Sequence, residues 1–167
     1  MSDNDLMEKF GGCSREAYNE LYFKYRNKIA SFINNCYCKD YDLIEEVVQK
    51  TFIRLYEYKF KYKPSHAFST WLFTVAKNFA LNELKRKKRF DTIEPQNNIR
   101  ADEGQNPIQD IEVLVSGLDK KYKEVMILRY IEDMSFEDIA KTLNKNTSTV
   151  KSLARRAILL LKESKYV

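Results

Sequence analysis

A chain of 167 residues with 44% hydrophobic side chains holds enough apolar material for one medium core or two small ones, which excludes disorder throughout. Only 4 Gly and 3 Pro punctuate it, too few for the turns of a sandwich or barrel, so the fold class expected is all-α. A single histidine, His66, and three cysteines, Cys13, Cys36 and Cys38, without the second pair that a structural zinc site recruits, argue against hydrolytic or metal chemistry; no catalytic residue, metal or cofactor is expected.

The opening MSDNDLMEKF is polar and acidic. It lacks the apolar core of an export signal, and no run of eighteen apolar residues follows, so a cytoplasmic protein without membrane insertion is expected. Apolar residues then recur at helical spacing. Ala17, Leu21, Tyr25, Ile29 and Phe32 mark a first helix, Leu43, Val47, Phe52 and Leu55 a second, and Trp71, Val75, Phe79 and Leu84 a third. Ser69 or Thr70 suits the N-cap of the third helix, after a loop near 59–68 that contains Pro64 and Ser65.

Charge is distributed in blocks. Residues 1–52 carry a net −2 and residues 53–90 a net +8; residues 91–116 carry −5 and residues 117–167 carry +4, within a total of +5. Two basic blocks flanking an acidic strip point to two contacts with a polyanion. Within the first basic block, nine aromatic residues between Phe52 and Phe79 alternate with Lys59, Lys61, Lys63 and Lys77. Unpaired bases stack on aromatic faces while lysines track phosphates, so this composition suits melted nucleic acid. Phe52, Trp71, Phe73 and Phe79 also read as core, which leaves Tyr58, Phe60, Tyr62 and Phe68 as the surface candidates. The run Lys85, Arg86, Lys87, Lys88, Arg89 ends the third helix and suits phosphate contact.

The acidic strip, with Pro95, Gly104 and Pro107, reads as a flexible linker over 91–116 between a domain at 1–90 and a second at 117–167. Fully extended it reaches roughly 90 Å. Beyond it, Val125, Leu128 and Ile131 mark a helix capped by Asp119. Ser135 caps a short helix that buries Phe136, Ile139, Ala140 and Leu143; a turn at Asn144 to Asn146 leads to a last helix with Val150, Ala154, Ala157, Ile158 and Leu161 inward. Ser148, Lys151, Ser152 and Arg155 then project from the opposite face, where short polar and basic groups reach base edges in a major groove.

The stretches DLIEEVVQKTFIRLY (42–56) and FSTWLFTVAKNFALNELKRKKR (68–89) resemble region two of the sigma-70 family, and GLDKKYKEVMILRYIEDMSFEDIAKTLNKNTSTVKSLARRAILLLK (117–162) resembles region four. Their order and short linker resemble the extracytoplasmic-function (ECF) group of RNA polymerase sigma factors. The resemblance implies a non-enzymatic factor of two small helical domains whose partners are core RNA polymerase, promoter DNA as duplex and melted strand, and an inhibitory anti-sigma factor. It assigns Asp42, Glu45, Glu46, Gln49 and Phe52 to polymerase docking. Tyr62, Lys63, Ser65, His66, Phe68, Trp71, Lys77, Asn78, Lys85 and Arg86 fall to the downstream promoter element, and Ser148, Thr149, Lys151, Ser152, Arg155 and Arg156 to the upstream element. Asn144 stands where the family turn usually has glycine, Leu153 where Arg is frequent and Asn82 where Asp is common.

Two other classes compete. A stand-alone helix-turn-helix regulator accounts for the last helices and leaves the basic aromatic block unexplained. A small nuclease would hold Mg²⁺ on Asp40, Asp42, Glu45 and Glu46, though carboxylates clustered on a helix are usually a solvated face.

Overall fold

The computed structural model of the chain describes residues 1–63, 67–90 and 107–164. Helix α1 (Asp3–Gly11) starts from a capping box in which the Ser2 hydroxyl accepts from the Asp5 N–H and the Asp5 carboxylate accepts from the Ser2 N–H. It buries Leu6, Met7 and Phe10. A turn with Cys13 at φ 70° leads into α2 (Arg15–Cys36), whose N-cap Ser14 accepts from the Ala17 N–H at 3.2 Å. All five residues expected to form the α2 stripe are buried. Helix α3 (Tyr41–Tyr58) is capped by Asp40, which accepts from the Asp42 and Leu43 N–H groups at 3.1 and 3.4 Å.

Helix α4 (Phe68–Phe90) departs from the expected stripe. Trp71, Val75, Phe79 and Leu84 are only half-buried, whereas Phe68, Leu72, Phe73, Ala76, Ala80 and Glu83 face inward. The small Ala76 and Ala80 let the helix approach its neighbours closely, and that ridge, rather than the aromatic one, enters the core. The helix also begins before the two residues expected to cap it: Ser69 and Thr70 lie in its first turn, and Thr70 is buried. Full burial of Leu21, Ile29, Leu55 and Leu72 contributes about 1.5–3 kcal/mol per side chain relative to exposure.

Part of the expected linker is helical, as α5 (Pro107–Val115). Helix α6 (Lys120–Met126) follows and runs into a π-helical turn at Ile127–Ile131. Asp119 occupies the N-cap position with extended backbone, but its side chain makes no capping bond; its carbonyl accepts from Tyr122 and Lys123 instead. Arg129 in the π turn donates to the Met134 carbonyl at 3.0 Å and lies 4.2 Å over the Phe136 ring, fixing the chain where it enters α7 (Phe136–Leu143). Helix α8 (Thr147–Ser164) completes the second half, with Val125, Leu128, Ile139, Leu143, Val150, Ala154 and Ala157 buried between α6, α7 and α8. The described residues include no strand, and no helix among them is long and apolar enough to cross a membrane.

Candidate nucleic-acid interface

Ser135 caps α7 by accepting from the Asp138 N–H at 3.1 Å, as the sequence implies. The helix ends at Asn144, whose φ of 54° and ψ of 50° place it in the left-handed region; the next N–H, of Lys145, donates back to Ala140 at 2.9 Å. This is the closure that glycine usually makes, here supplied by the residue type that tolerates left-handed backbone best after glycine. Helix α8 leaves the turn with Val150, Ala154 and Ala157 inward and Ser148, Thr149, Lys151, Ser152, Arg155 and Arg156 all exposed. Six hydrogen-bonding or cationic side chains thus share the free face of a helix carried on a second helix, the arrangement that enters a major groove.

The basic aromatic block is partly preassembled. Tyr58 and Trp71 stack with ring centroids 4.9 Å apart at 12°, leaving both half-buried. Tyr62, also half-buried, donates its hydroxyl to Asn4 Oδ1 at 2.8 Å and meets Phe68 edge-on. Phe68, expected at the surface, is 2% exposed: it plugs the start of α4 against Tyr25 and supports Trp71 from within. Lys63 and Asn78 are exposed and Lys77 is half-buried. Ser65 and His66 lie outside the described residues, as does 91–106 of the linker.

Lys85 points to solvent, but Arg86 does not project freely toward phosphate. Its guanidinium holds Glu83 at 2.8 Å and Glu46 at 3.7 Å, while Lys50 pairs with Glu46 at 3.2 Å and also with Glu83. Hydrogen bonding from Lys50 and Arg86 holds the Glu83 carboxyl below its ordinary range against the opposing effect of burial, and Lys87 does the same for Asp40. These ion pairs rivet α3 to α4. They also engage two of the four carboxylates that a metal would need, Asp40 and Glu46, and no group of acidic, histidine and cysteine side chains among the described residues is arranged to hold a metal.

On α3, Asp42 and Gln49 are exposed and Glu45 half-buried, but Phe52 is 2% exposed and belongs to the core, packed against Tyr22 and Tyr18. Exposed apolar side chains lie nearby. Ile53, Tyr56 and Phe60 are exposed at 59%, 55% and 72%, with Phe23 of α2 exposed beside Tyr22. Lys59 folds its ammonium over Tyr56 at 4.0 Å and Phe60 at 4.9 Å. The signal was present in the sequence: 53, 56 and 60 follow helical spacing on a face distinct from the buried 47, 51 and 55.

The chain matches the family models for "Sigma-70 region 2" over residues 21–90 and "Sigma-70, region 4" over residues 108–161. It is 30% identical to the ECF RNA polymerase sigma-E factor of Haemophilus influenzae across 94% of this chain and 92% of that protein. The chain belongs to the sigma-70 family. Its place is among the ECF sigma factors: the ECF RNA polymerase sigma factor SigM of Bacillus subtilis is 27% identical over 86% of this chain and 92% of that one. A solved structure of the sigma factor RpoE with the anti-sigma factor NepR from Bartonella quintana shares the fold, with a TM-score of 0.68 at 23% identity over 90% of this chain and 97% of that one. One matched stretch falls in each half of this sigma factor: residues 21–90 leave out α1, and residues 108–161 take in α5 and the six exposed groups of α8.

Proposed function

We propose that this sigma factor divides its work as 1–90, 91–116 and 117–167: the first part docks on core polymerase and opens the downstream promoter element, the middle tethers, and the last reads the upstream element. The observation that carries this reading is the α8 face, where Ser148, Thr149, Lys151, Ser152, Arg155 and Arg156 are all exposed while the opposite stripe is buried. Asp42, Glu45, Glu46 and Gln49 supply the acidic part of the docking face, complementary to a basic clamp on the polymerase, and Ile53, Tyr56 and Phe60 its apolar part. Tyr62, Lys63, Ser65, His66, Trp71, Lys77 and Asn78 line the path of the melted strand, where stacking offsets the few kcal/mol of unstacking a flipped base costs. Lys85 adds a phosphate contact. Arg86 is better placed as the α3–α4 rivet than as a DNA contact, and Phe52 and Phe68 act from beneath the surface.

The protein is proposed to perform no catalysis, to need no cofactor, and to work in the cytoplasm, where its polymerase resides. An anti-sigma factor is the proposed regulator, supported by the fold shared with a sigma factor solved with such a partner. Permanganate reactivity of promoter thymines tests the division of labour. With holoenzyme, the melted patch requires the first half's aromatic side chains, so Trp71→Ala reduces it while the upstream footprint persists. A variant that lost the upstream footprint and kept the melted patch would reverse the assignment.

A further inference from the structure

Helix α1 lies outside the stretch matched to region two, which begins at residue 21, and it carries none of the residues assigned to polymerase or DNA. Leu6, Met7 and Phe10 are its core residues. Its polar first turn is aimed at the basic aromatic block. Asn4 is exposed, yet its Oδ1 accepts from the hydroxyl of Tyr62 at 2.8 Å, a residue 58 positions away in sequence. Beside it, Asp3 pairs with Lys24 at 2.7 Å and accepts from the Tyr25 hydroxyl. The rings of both tyrosines close on Phe68, with centroids 5.4 Å away for Tyr25 and 6.1 Å for Tyr62, and Phe68 in turn meets Trp71 at 6.3 Å. The first turn of α1 thus holds two phenol hydroxyls whose rings converge on the residue that supports Trp71.

The other end of α1 grips the same segment. Phe10 packs against Tyr56 with centroids 5.8 Å apart, and the Lys59 ammonium lies 5.3 Å over the Phe10 ring. A methyl group added at Gly11 would meet the Lys59 carbonyl oxygen at 3.5 Å, so the two backbones run within ordinary van der Waals reach. The segment 59–62 is therefore tied to α1 at both ends of the helix, at Lys59 by Phe10 and Gly11 and at Tyr62 by Asn4.

A ring that stacks on an unpaired base gives up its rotational freedom when it does so, and orienting it beforehand removes that cost from the binding step. The Tyr62 ring is oriented from two sides, edge-on by Phe68 and at its tip by Asn4. Burial, reinforced by the charge of Asp3, keeps the Tyr62 phenol above its ordinary pKa, so the hydroxyl stays a donor. Its acceptor then has to be an oxygen, which a carboxamide or a carboxylate at position 4 supplies and an apolar side chain does not.

We propose that Asn4 is a positioning residue for promoter opening: it anchors the Tyr62 hydroxyl so that the ring meets the melted strand already oriented, with α1 as the brace beneath the downstream-reading surface. This rests on the assignment of Tyr62 to the melted strand.

The test uses holoenzyme reconstituted with the full chain and separates the initial promoter-binding constant from the rate of isomerisation to the open complex. Asn4→Leu removes the acceptor at an exposed position, and is expected to slow isomerisation about two- to tenfold while leaving initial binding within about twofold of wild type. Asn4→Asp keeps an acceptor oxygen and is expected to restore the wild-type rate. In a Tyr62→Phe background, which retains the ring and loses the hydroxyl, Asn4→Leu is expected to add no further slowing. A wild-type isomerisation rate in Asn4→Leu, an Asn4→Asp variant as slow as Asn4→Leu, or losses that multiply in the double variant each overturn the positioning role. Tyr62→Ala separates the two possible failures. If it slows opening while Asn4→Leu does not, only the role of Asn4 falls; if it opens promoters at the wild-type rate, the assignment of Tyr62 falls and that of Asn4 with it.

Discussion

Arg86 and Glu83 form a 2.8 Å ion pair one helical turn apart on α4, and Glu83, almost fully buried, passes the link to Lys50 on α3. A cation that sequence order places in a phosphate-binding run is therefore committed to holding two helices together. Burying Glu83 without partners would be costly; with two cations it becomes the fixed point of the α3–α4 packing.

Replacing Glu83 with Gln keeps the shape and removes the charge, and is expected to destabilise the protein by about 1–2 kcal/mol at neutral pH in urea denaturation. Because its cationic partners hold the Glu83 carboxyl below the ordinary value, the unfolded chain takes up its proton first as pH falls. The stabilisation is thus present above the unfolded carboxylate pKa and is lost as pH drops through the folded one. The gap between wild type and variant is expected to start narrowing as pH falls below the unfolded carboxylate pKa of about 4.3; a gap independent of pH would contradict the ion-pair explanation.

On α8, Lys151→Ala and Arg155→Ala are each expected to weaken upstream-element binding by holoenzyme by about 1–3 kcal/mol for every base-reading interaction removed. Both residues are exposed, so thermal stability should stay as in wild type. Footprints over the upstream element that match wild type in both variants would refute the groove assignment.

The turn at Asn144 makes a backbone prediction. A β-branched side chain is strained at φ 54°, so Asn144→Val is expected to cost about 1–3 kcal/mol, whereas Asn144→Gly should leave stability nearly unchanged. The comparison of the two urea midpoints is the check, and equal losses in both would mean that the Asn side chain, not the backbone, matters.

Removing the exposed apolar groups Ile53 and Phe60 tests the docking face. The double variant Ile53→Ala, Phe60→Ala is expected to fold normally and to bind core polymerase about tenfold more weakly, measured by competition against the wild-type chain. Unaltered competition would move the docking face away from the C-terminal part of α3.

How much of this was readable in advance depended on how cleanly each helix separates its faces. Helix α8 alternates small apolar and polar residues at 3.6 spacing, and its six candidate contact residues are all exposed. Helix α2 behaves similarly. Helix α4 is apolar on more than one side, so periodicity picked Trp71, Val75 and Phe79 while packing chose the ridge through Leu72, Ala76 and Ala80, where small side chains permit close approach. Helix α1 was hidden because its three core residues, Leu6, Met7 and Phe10, are dispersed in a polar nonapeptide. The commitment of Arg86 and the hydrogen bond from Lys77 to the Thr142 carbonyl depend on partners distant in sequence, which charge patterning along the chain does not reveal.

The most direct measurement is run-off transcription from a library of genomic promoter fragments, with core RNA polymerase alone and with the full chain added. Addition of the chain is expected to produce discrete transcripts from a subset of promoters that core polymerase ignores, each start preceded by a common pair of sequence elements. Transcription that remains identical with and without the chain, across the whole library, would contradict its role as a sigma factor.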